Sequence, residues 1–309
     1  MSYMEGHASM HDIWNYFKQL EGSVLSVQDN DILNSSKQEA KEYNKLFHCT
    51  SAEALLSIIK YREFWLNSLK WVNDKDEKKR IDVPKFENSY YVACFTYENQ
   101  IPNEHWTEYG NSDSGVLFSV KKEWFLKDIV FMSGDNQKNE NDIFTIYPSS
   151  KMALDIKIKE QAKGRNYNPF SIFDFDFYKI IYDDKLVYNI ENAGSINIHG
   201  EKCAAIAQNP AMAGIIKKTS GLCERFGRDP YPKDWSSEKE IRLKIGIWQG
   251  AHVDKKLDFF FPKIAVKLSP DAFDAFDIRF SPDFDDERKI TYLEELCTLL
   301  PDSEINILA

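Results

Sequence analysis

Three short groups of residues carry side chains suited to chemistry. The first is Phe47-His48-Cys49-Thr50-Ser51, inside KLFHCTSAEALLSIIK. Histidine is the side chain whose proton comes and goes near neutrality, so His48 is a candidate ligand or proton carrier. The second is Trp235-Ser236-Ser237-Glu238-Lys239-Glu240-Ile241-Arg242. Glu238 and Glu240 stand two apart, close enough on a strand for one carboxylate to influence the other. The alternative is an exposed strand face balanced by Arg242 and Lys244. The third is Trp106-x-x-Tyr109, followed by Gly115-Val116, which suits an aromatic wall with a close-approach glycine or, equally, a core aromatic pair.

The elements that position these groups follow from spacing. Lys45 to Cys49 reads as a short strand. His48 and Thr50 then share one face, and Phe47 and Cys49 point to the core on the other. Neighbours on a strand diverge, which argues against a His48–Cys49 nucleophile pair. Thr50-Ser51-Ala52-Glu53 has the pattern of a capping box with Thr50 as N-cap. A helix continues through Leu55, Leu56, Ile58 and Ile59. His48 thus lies where a strand ends and a helix N-terminus begins, a place that favours anionic ligands. The plainer alternative is a histidine bonded to a neighbouring carbonyl. Glu238 to Trp248 is the clearest strand, because Ile241, Leu243, Ile245 and Ile247 alternate with Glu240, Arg242 and Lys244.

Elsewhere, a helix is expected over His11 to Leu20, with a short one near Lys37 to Glu42. Strands are expected at Phe64 to Leu66, Tyr90 to Tyr97, Gly115 to Val120, Phe175 to Val187 and Phe259 to Leu268. Glu104 to Tyr109 reads as a helical turn with Trp106 and Tyr109 on one side. Trp71 to Asp74 reads as a turn into the charged segment Lys75 to Arg80. Ser133 to Ile172 is charged and loop-like, Cys203 to Phe226 reads as helical with a break near Pro210, and Asp271 to Leu300 reads as an acidic, helix-rich tail.

Composition narrows the classes. The 309 residues are 43% hydrophobic and 14% aromatic, so the chain folds around a sizeable core. A net charge of −10 argues against non-specific binding to nucleic acid. The five cysteines are widely spaced and never form C-x-x-C, which argues against a disulfide framework or a zinc knuckle. No apolar run looks like a signal peptide or approaches the ~18 residues of a membrane span, so a cytoplasmic protein without membrane association is expected. Phosphate-loop, dinucleotide-fold, zinc-protease and nucleophile-elbow motifs are missing. The six histidines are scattered, and no metal site is assigned. Asp283-Phe284-Asp285-Asp286-Glu287 lacks the spacing and glycine of a calcium loop.

The ordered set Phe-His-x-Thr-Ser, Phe64-Trp65-Leu66-Asn67, Val72-Asn73-Asp74-x-x-Glu77, Cys94-Phe95-Thr96, Trp106-x-x-Tyr109-x(5)-Gly115-Val116 and Trp235-x-x-Glu238-x-Glu240-x-Arg242 resembles a bacterial family of unknown function, from about Leu46 to Leu268. More distantly, a strand ending in His-x-Thr with a late Glu-x-Glu strand is similar to ADP-ribosyltransferases and the RNA 2′-phosphotransferase group. That resemblance implies an α+β fold with a split, largely antiparallel sheet and flanking helices. It implies NAD as substrate, with His48 on a ribose hydroxyl, Thr50 or Ser51 assisting, and Arg242 at the cofactor. Glu240 would be the catalytic glutamate, Glu238 its partner, and Tyr109 or Trp106 the ring stacked on nicotinamide. The usual opening has glycine after the histidine; here Cys49 stands there.

The expected organisation is an N-terminal helical extension (1–44), an α+β domain (45–270) with a variable insertion (133–172), and an acidic helical extension (271–309). The expected function is NAD-dependent ADP-ribosyl transfer to a protein or nucleic-acid acceptor, as in a bacterial toxin or defence effector. Two alternatives stand beside it. One is a non-catalytic sensing module on the same fold. The other is a metal-dependent hydrolase or nuclease built on Asp283 and Asp285.

Overall fold

The computed structural model describes residues 27–74, 90–132, 143–148, 154–157, 170–185, 195–198, 201–204, 214–224, 229–249 and 263–309. The described elements, in chain order, begin with α1 (Val27–Lys41), β1 (Leu46–Ser51), α2 (Ala52–Tyr61), β2 (Glu63–Ser68), β3 (Tyr90–Thr96), α3 (Asn103–Tyr109), β4 (Gly115–Val120) and β5 (Phe125–Met132). There follow β6 (Ile143–Pro148), β7 (Leu154–Lys157), β8 (Phe170–Lys179), β9 (Ile181–Tyr182), β10 (Ser195–Ile198), β11 (Glu201–Ala204), β12 (Ile216–Lys217), β13 (Ser220–Cys223) and β14 (Tyr231–Asp234). The chain closes with β15 (Glu240–Gln249), β16 (Lys263–Leu268), β17 (Ala275–Phe280), α4 (Asp286–Leu299) and β18 (Glu304–Ile307). The protein is therefore mixed α/β with a mostly antiparallel sheet. Among the described residues no helix is long and apolar enough to cross a membrane.

Twelve strands form the main sheet, in the order β18-β17-β4-β1-β3-β2-β16-β5-β6-β7, with β15 joined to β3 and β8 joined to β15. One edge of β3 is lined by β15, from Glu240↔Thr96 to Gly246↔Tyr90. Its other edge is shared. β1 meets it at Phe47↔Thr96, and β2 meets it at Asn67↔Val92 and Ser68↔Tyr91. Between those contacts β1 and β2 part, and the backbone of residues 93–95 faces the gap. A strand carbonyl without its ladder partner is open to another donor. His48 is that donor: its Nδ1 lies 2.9 Å from the Cys94 carbonyl oxygen.

The apolar core follows from two periodicities. Leu55, Ile58 and Ile59 of α2 are buried together, at the spacing of one helix face. Ile241, Leu243 and Ile245 of β15 are fully buried in the same cluster as Phe64, Phe95 and Phe118. Each such side chain contributes about 1.5–3 kcal/mol by leaving water. α4 closes the cluster with Tyr292 and Leu296.

Several expectations need correction. The N-cap of α2 is Ser51, not Thr50: the Ser51 hydroxyl accepts from the Ala54 N–H at 3.2 Å. The strand runs past Cys49 as far as Ser51, so the cap moves with it. Strand pairing begins at Glu240, and Glu238 sits in the preceding 3₁₀ turn Trp235–Glu238, with Lys239 left-handed at φ 45°. Within 203–226 the described residues are strands β11, β12 and β13, not helix. A short apolar run bounded by glycines does not distinguish the two by periodicity. Between 133 and 172 the described residues belong to β6, β7 and the start of β8. The C-terminal region is not a peripheral extension. Phe276, Ile278 and Phe280 alternate with half-buried polar residues in β17, which pairs with β4. The expected helix at 11–20 and the charged segment 75–80 lie outside the described residues.

Gly110 and Gly115 bring α3 onto β4. A Cβ on Gly110 would stand 2.8 Å from the Gly115 Cα and 2.9 Å from the Trp106 carbonyl oxygen, both backbone atoms with little room to yield. Gly110→Ala is expected to cost about 1–3 kcal/mol through overpacking, read as a lower urea midpoint with unchanged slope.

Candidate functional site

A cavity of about 550 Å³ opens where β1 and β2 part. Its size is that of a small-molecule site. His48, Thr50, Cys94, Tyr109, Glu238, Glu240 and Arg242 all line it. Residues some 190 positions apart in the chain thus meet, because β3 pairs with β1 on one edge and β15 on the other.

His48 is enclosed by phenyl rings, with centroids at 4.9 Å (Phe64), 5.6 Å (Phe95) and 5.7 Å (Phe118). Burial pushes its pKa down to about 4, against a smaller opposing effect of the Cys94 carbonyl. The imidazole is therefore neutral at pH 7. A carbonyl oxygen only accepts, so Nδ1 carries the proton and Nε2 keeps a lone pair. A neutral acceptor nitrogen on a cavity wall suits a ligand hydroxyl. Cys49 is a different case. It packs with Phe47, Trp106 and Leu117, and burial pushes its thiol up to about 12. It packs on the face opposite His48, as strand geometry requires, and is half-buried at the edge of the cavity.

The His48 shift has a consequence for stability. An unfolded histidine takes up a proton below about 6.5, whereas His48 in the native protein does so only near 4. Between those values the unfolded state binds more protons, so stability falls as pH drops through that window. His105, also shifted down by burial, acts in the same direction. Urea midpoints measured from pH 7 to 4.5 should decline more steeply for wild type than for His48→Gln. Parallel curves would remove His48 from that account.

A chain of alternating charges reaches the cavity wall at Lys217, Glu238, Glu240 and Arg242. Lys233 Nζ bridges Glu108 and Glu238, the latter at 2.7 Å. Lys217 Nζ bridges Glu238 and Glu240, at 3.1 Å to each. Arg242 donates to Glu240 from Nε at 2.5 Å and Nη2 at 3.3 Å, and to the Gly214 carbonyl at 2.9 Å. Three carboxylates meet three cations, so the chain is formally neutral. The Tyr109 hydroxyl donates to Glu238 at 2.5 Å, and that of Tyr231 to Glu108 at 2.6 Å. Lys217 and Lys233 also stand 4.4 Å and 4.9 Å over the Trp235 ring.

Burial by itself would raise the Glu238 pKa. Lys217 and Lys233, with the hydrogen bonds from Lys233 and Tyr109, outweigh it and hold the carboxyl well below the usual range. Burial would likewise depress Lys217, but Glu238 and Glu240 outweigh it and hold the ammonium well above its ordinary value. The expected alternative of a solvated charged face on β15 is thereby overturned: Glu240, Arg242 and Lys244 are 3%, 2% and 0% exposed. Buried charges persist only when paired and hydrogen-bonded, and here they are.

The sequence-based candidates separate in space. Thr50 and Tyr109 line the cavity with His48 and the two glutamates. Ser51 instead caps α2. Trp106, expected on the same side as Tyr109, packs with Phe47 and Leu117 and does not line the cavity. Arg242 lines it, with its guanidinium committed to Glu240 and Gly214. Asp285, considered as a cation ligand, is the N-cap of α4 and accepts from the Arg288 N–H.

Sequence reasoning missed Lys217, Lys233 and Glu108, and it named Cys94 only within a motif, with no role. Lys217 and Lys233 carry no motif. Their signal is charge balance: two buried carboxylates require cations, and Arg242 alone is one short. Comparison with known proteins returned no matching family, no matching curated protein and no matching solved structure, so the cavity's own geometry is what bears on function.

Proposed function

We propose that this protein binds NAD in the cavity and cleaves its nicotinamide–ribose bond, transferring ADP-ribose to an acceptor. The observation that carries the reading is the meeting of His48, Tyr109, Glu238 and Glu240 around one cavity of dinucleotide-binding scale. The mostly antiparallel sheet supports the reading at the level of fold class.

Each residue type has a matching task. Heterolysis sends the bonding electron pair to nicotinamide and leaves positive charge on the ribose. A fixed carboxylate beside that charge stabilises it, as in glycoside hydrolysis. A carboxylate offers about four lone-pair sites, and three on Glu240 are taken by Lys217 and Arg242. The Cys94 thiol also bonds to this carboxylate, so a substrate hydroxyl takes the place of that thiol. His48 Nε2 accepts from a second ribose hydroxyl, with Thr50 beside it. Tyr109 offers its ring to nicotinamide, held in place by its own bond to Glu238.

The test is release of nicotinamide from labelled NAD by purified protein, alone and with cell extract. Label on protein or on nucleic acid identifies the acceptor class. No release in any extract would overturn the reading. One observation favours a second reading, a sensor that binds nucleotide without turnover: the charge chain already satisfies most of the carboxylate sites. Saturable NAD binding with no release would select it.

A further inference from the structure

We propose that Lys217 is a positioning residue for this site, which holds Glu238 and Glu240 ionised together and at a fixed separation. Its activity arm rests on the NAD-cleaving reading above; its titration arm does not.

Lys217 is placed by backbone, not by chance of rotamer. β12 pairs in parallel with β9, at Ile216↔Ile181 and Lys217↔Tyr182. The flanking bonds extend that register: the Ile181 N–H donates to the Ile215 carbonyl at 2.9 Å, and the Asp183 N–H to the Lys217 carbonyl at 3.0 Å. Thr219 then ties the segment down, donating to Asp184 from its N–H and its hydroxyl at 2.8 Å each. From that ladder the side chain runs to an ammonium 3.1 Å from each of two carboxylates and 4.4 Å from the Trp235 ring centroid. It is 2% exposed. The groups facing it are Glu238 from the 3₁₀ turn, Glu240 and Arg242 from β15, Tyr182 from β9 and Cys94 from β3, whose thiol also bonds to Glu240.

The consequence follows from counting charges along the chain. Lys217 is the only link between the Glu108–Lys233–Glu238 half and the Glu240–Arg242 half among the described residues. Without it, three carboxylates share two cations. Like charges held close in a site that excludes water do not both stay ionised, so one carboxyl takes a proton. The two titrations then belong to the pair and not to either residue.

The test uses the full chain with ¹³C-labelled glutamate carboxyls, titrated by NMR. In Lys217→Met, one buried glutamate should titrate at least about one pH unit above the ordinary carboxylate value. Wild type and Lys217→Arg should show no such group. The double variant Lys217→Met/Glu238→Gln removes one charge of each sign and should lose the raised titration. The acid limb of nicotinamide release should move up by a similar interval in Lys217→Met and stay in place in Lys217→Arg. A folded Lys217→Met whose carboxyls titrate as in wild type overturns the proposal. So does a charge-balanced double variant that fails to fold, because Lys217 is then needed for structure and not for ionisation. Wild type that releases no nicotinamide refutes the function and leaves the titration result standing.

Discussion

Glu240→Gln is expected to lower nicotinamide release by about 10²–10³-fold, the usual cost of removing one preorganised electrostatic partner of a transition state. Glutamine keeps the size of the side chain and one acceptor oxygen. What it loses is the full negative charge, which the substrate meets chiefly when the ribose becomes positive. Binding of intact NAD should therefore change far less than turnover, giving a fall in kcat with a modest change in KM. The substitution also leaves Lys217 and Arg242 sharing one fewer anion, so its melting temperature should fall. Turnover must be compared at a temperature where circular dichroism shows both proteins folded. A folded Glu240→Gln with wild-type release would sink the assignment of Glu240 and the mechanism built on it.

Arg242→Met is expected to cost about 3–5 kcal/mol of stability. The guanidinium makes two bonds to Glu240 and one to the Gly214 carbonyl, and it is 2% exposed. Methionine fills much of the same volume, so the loss is electrostatic more than steric. Glu240 keeps Lys217, which it already shares with Glu238, and the chain carries one uncompensated negative charge. Breaking a buried pair from one side is costly because the survivor stays out of water. Removing both partners is less so. Arg242→Met/Glu240→Gln should recover a large part of the loss, and urea denaturation of the four proteins forms a closed cycle. A single variant as stable as wild type would mean that the pair is exposed to water in solution.

The two substitutions act on one object, an alternating row of three acids and three bases. Buried ion pairs are weak evidence of stability in themselves, because desolvation offsets most of the attraction. Their better attested effect is to hold geometry. Here each cation but Arg242 serves two carboxylates, so no link moves without disturbing the next. That rigidity is what a site needs in order to present a carboxylate without reorganising at the moment of reaction.

Much of this was legible along the chain because the relevant signals are local. Period-two alternation marked β15, and the aromatic run marked β3, since a strand's faces are set by its own neighbours. Strand geometry also separated His48 from Cys49, and the structure bears that out through the Cys49 core contacts. Boundaries were less legible. The cap belongs to Ser51 and not Thr50, because pairing with β4 extends β1 to Ser51↔Gly115. The region 203–226 misled for the same reason. An apolar run of three or four residues takes its conformation from the strand it meets, and β12 meets β9.

The sequence by itself determined the candidate residues His48, Glu238, Glu240 and Tyr109, and the strand faces that carry most of them. Only the tertiary structure decided which of them meet, that Trp106 and Ser51 are used elsewhere, and that the charges of β15 are buried. The physical reason is range. Alternation and capping are interactions between near neighbours, whereas charge pairing joins Lys217 to Glu240 across 23 positions and Lys233 to Glu108 across 125. No spacing rule spans such distances, and only the folded chain brings a cation to each acid.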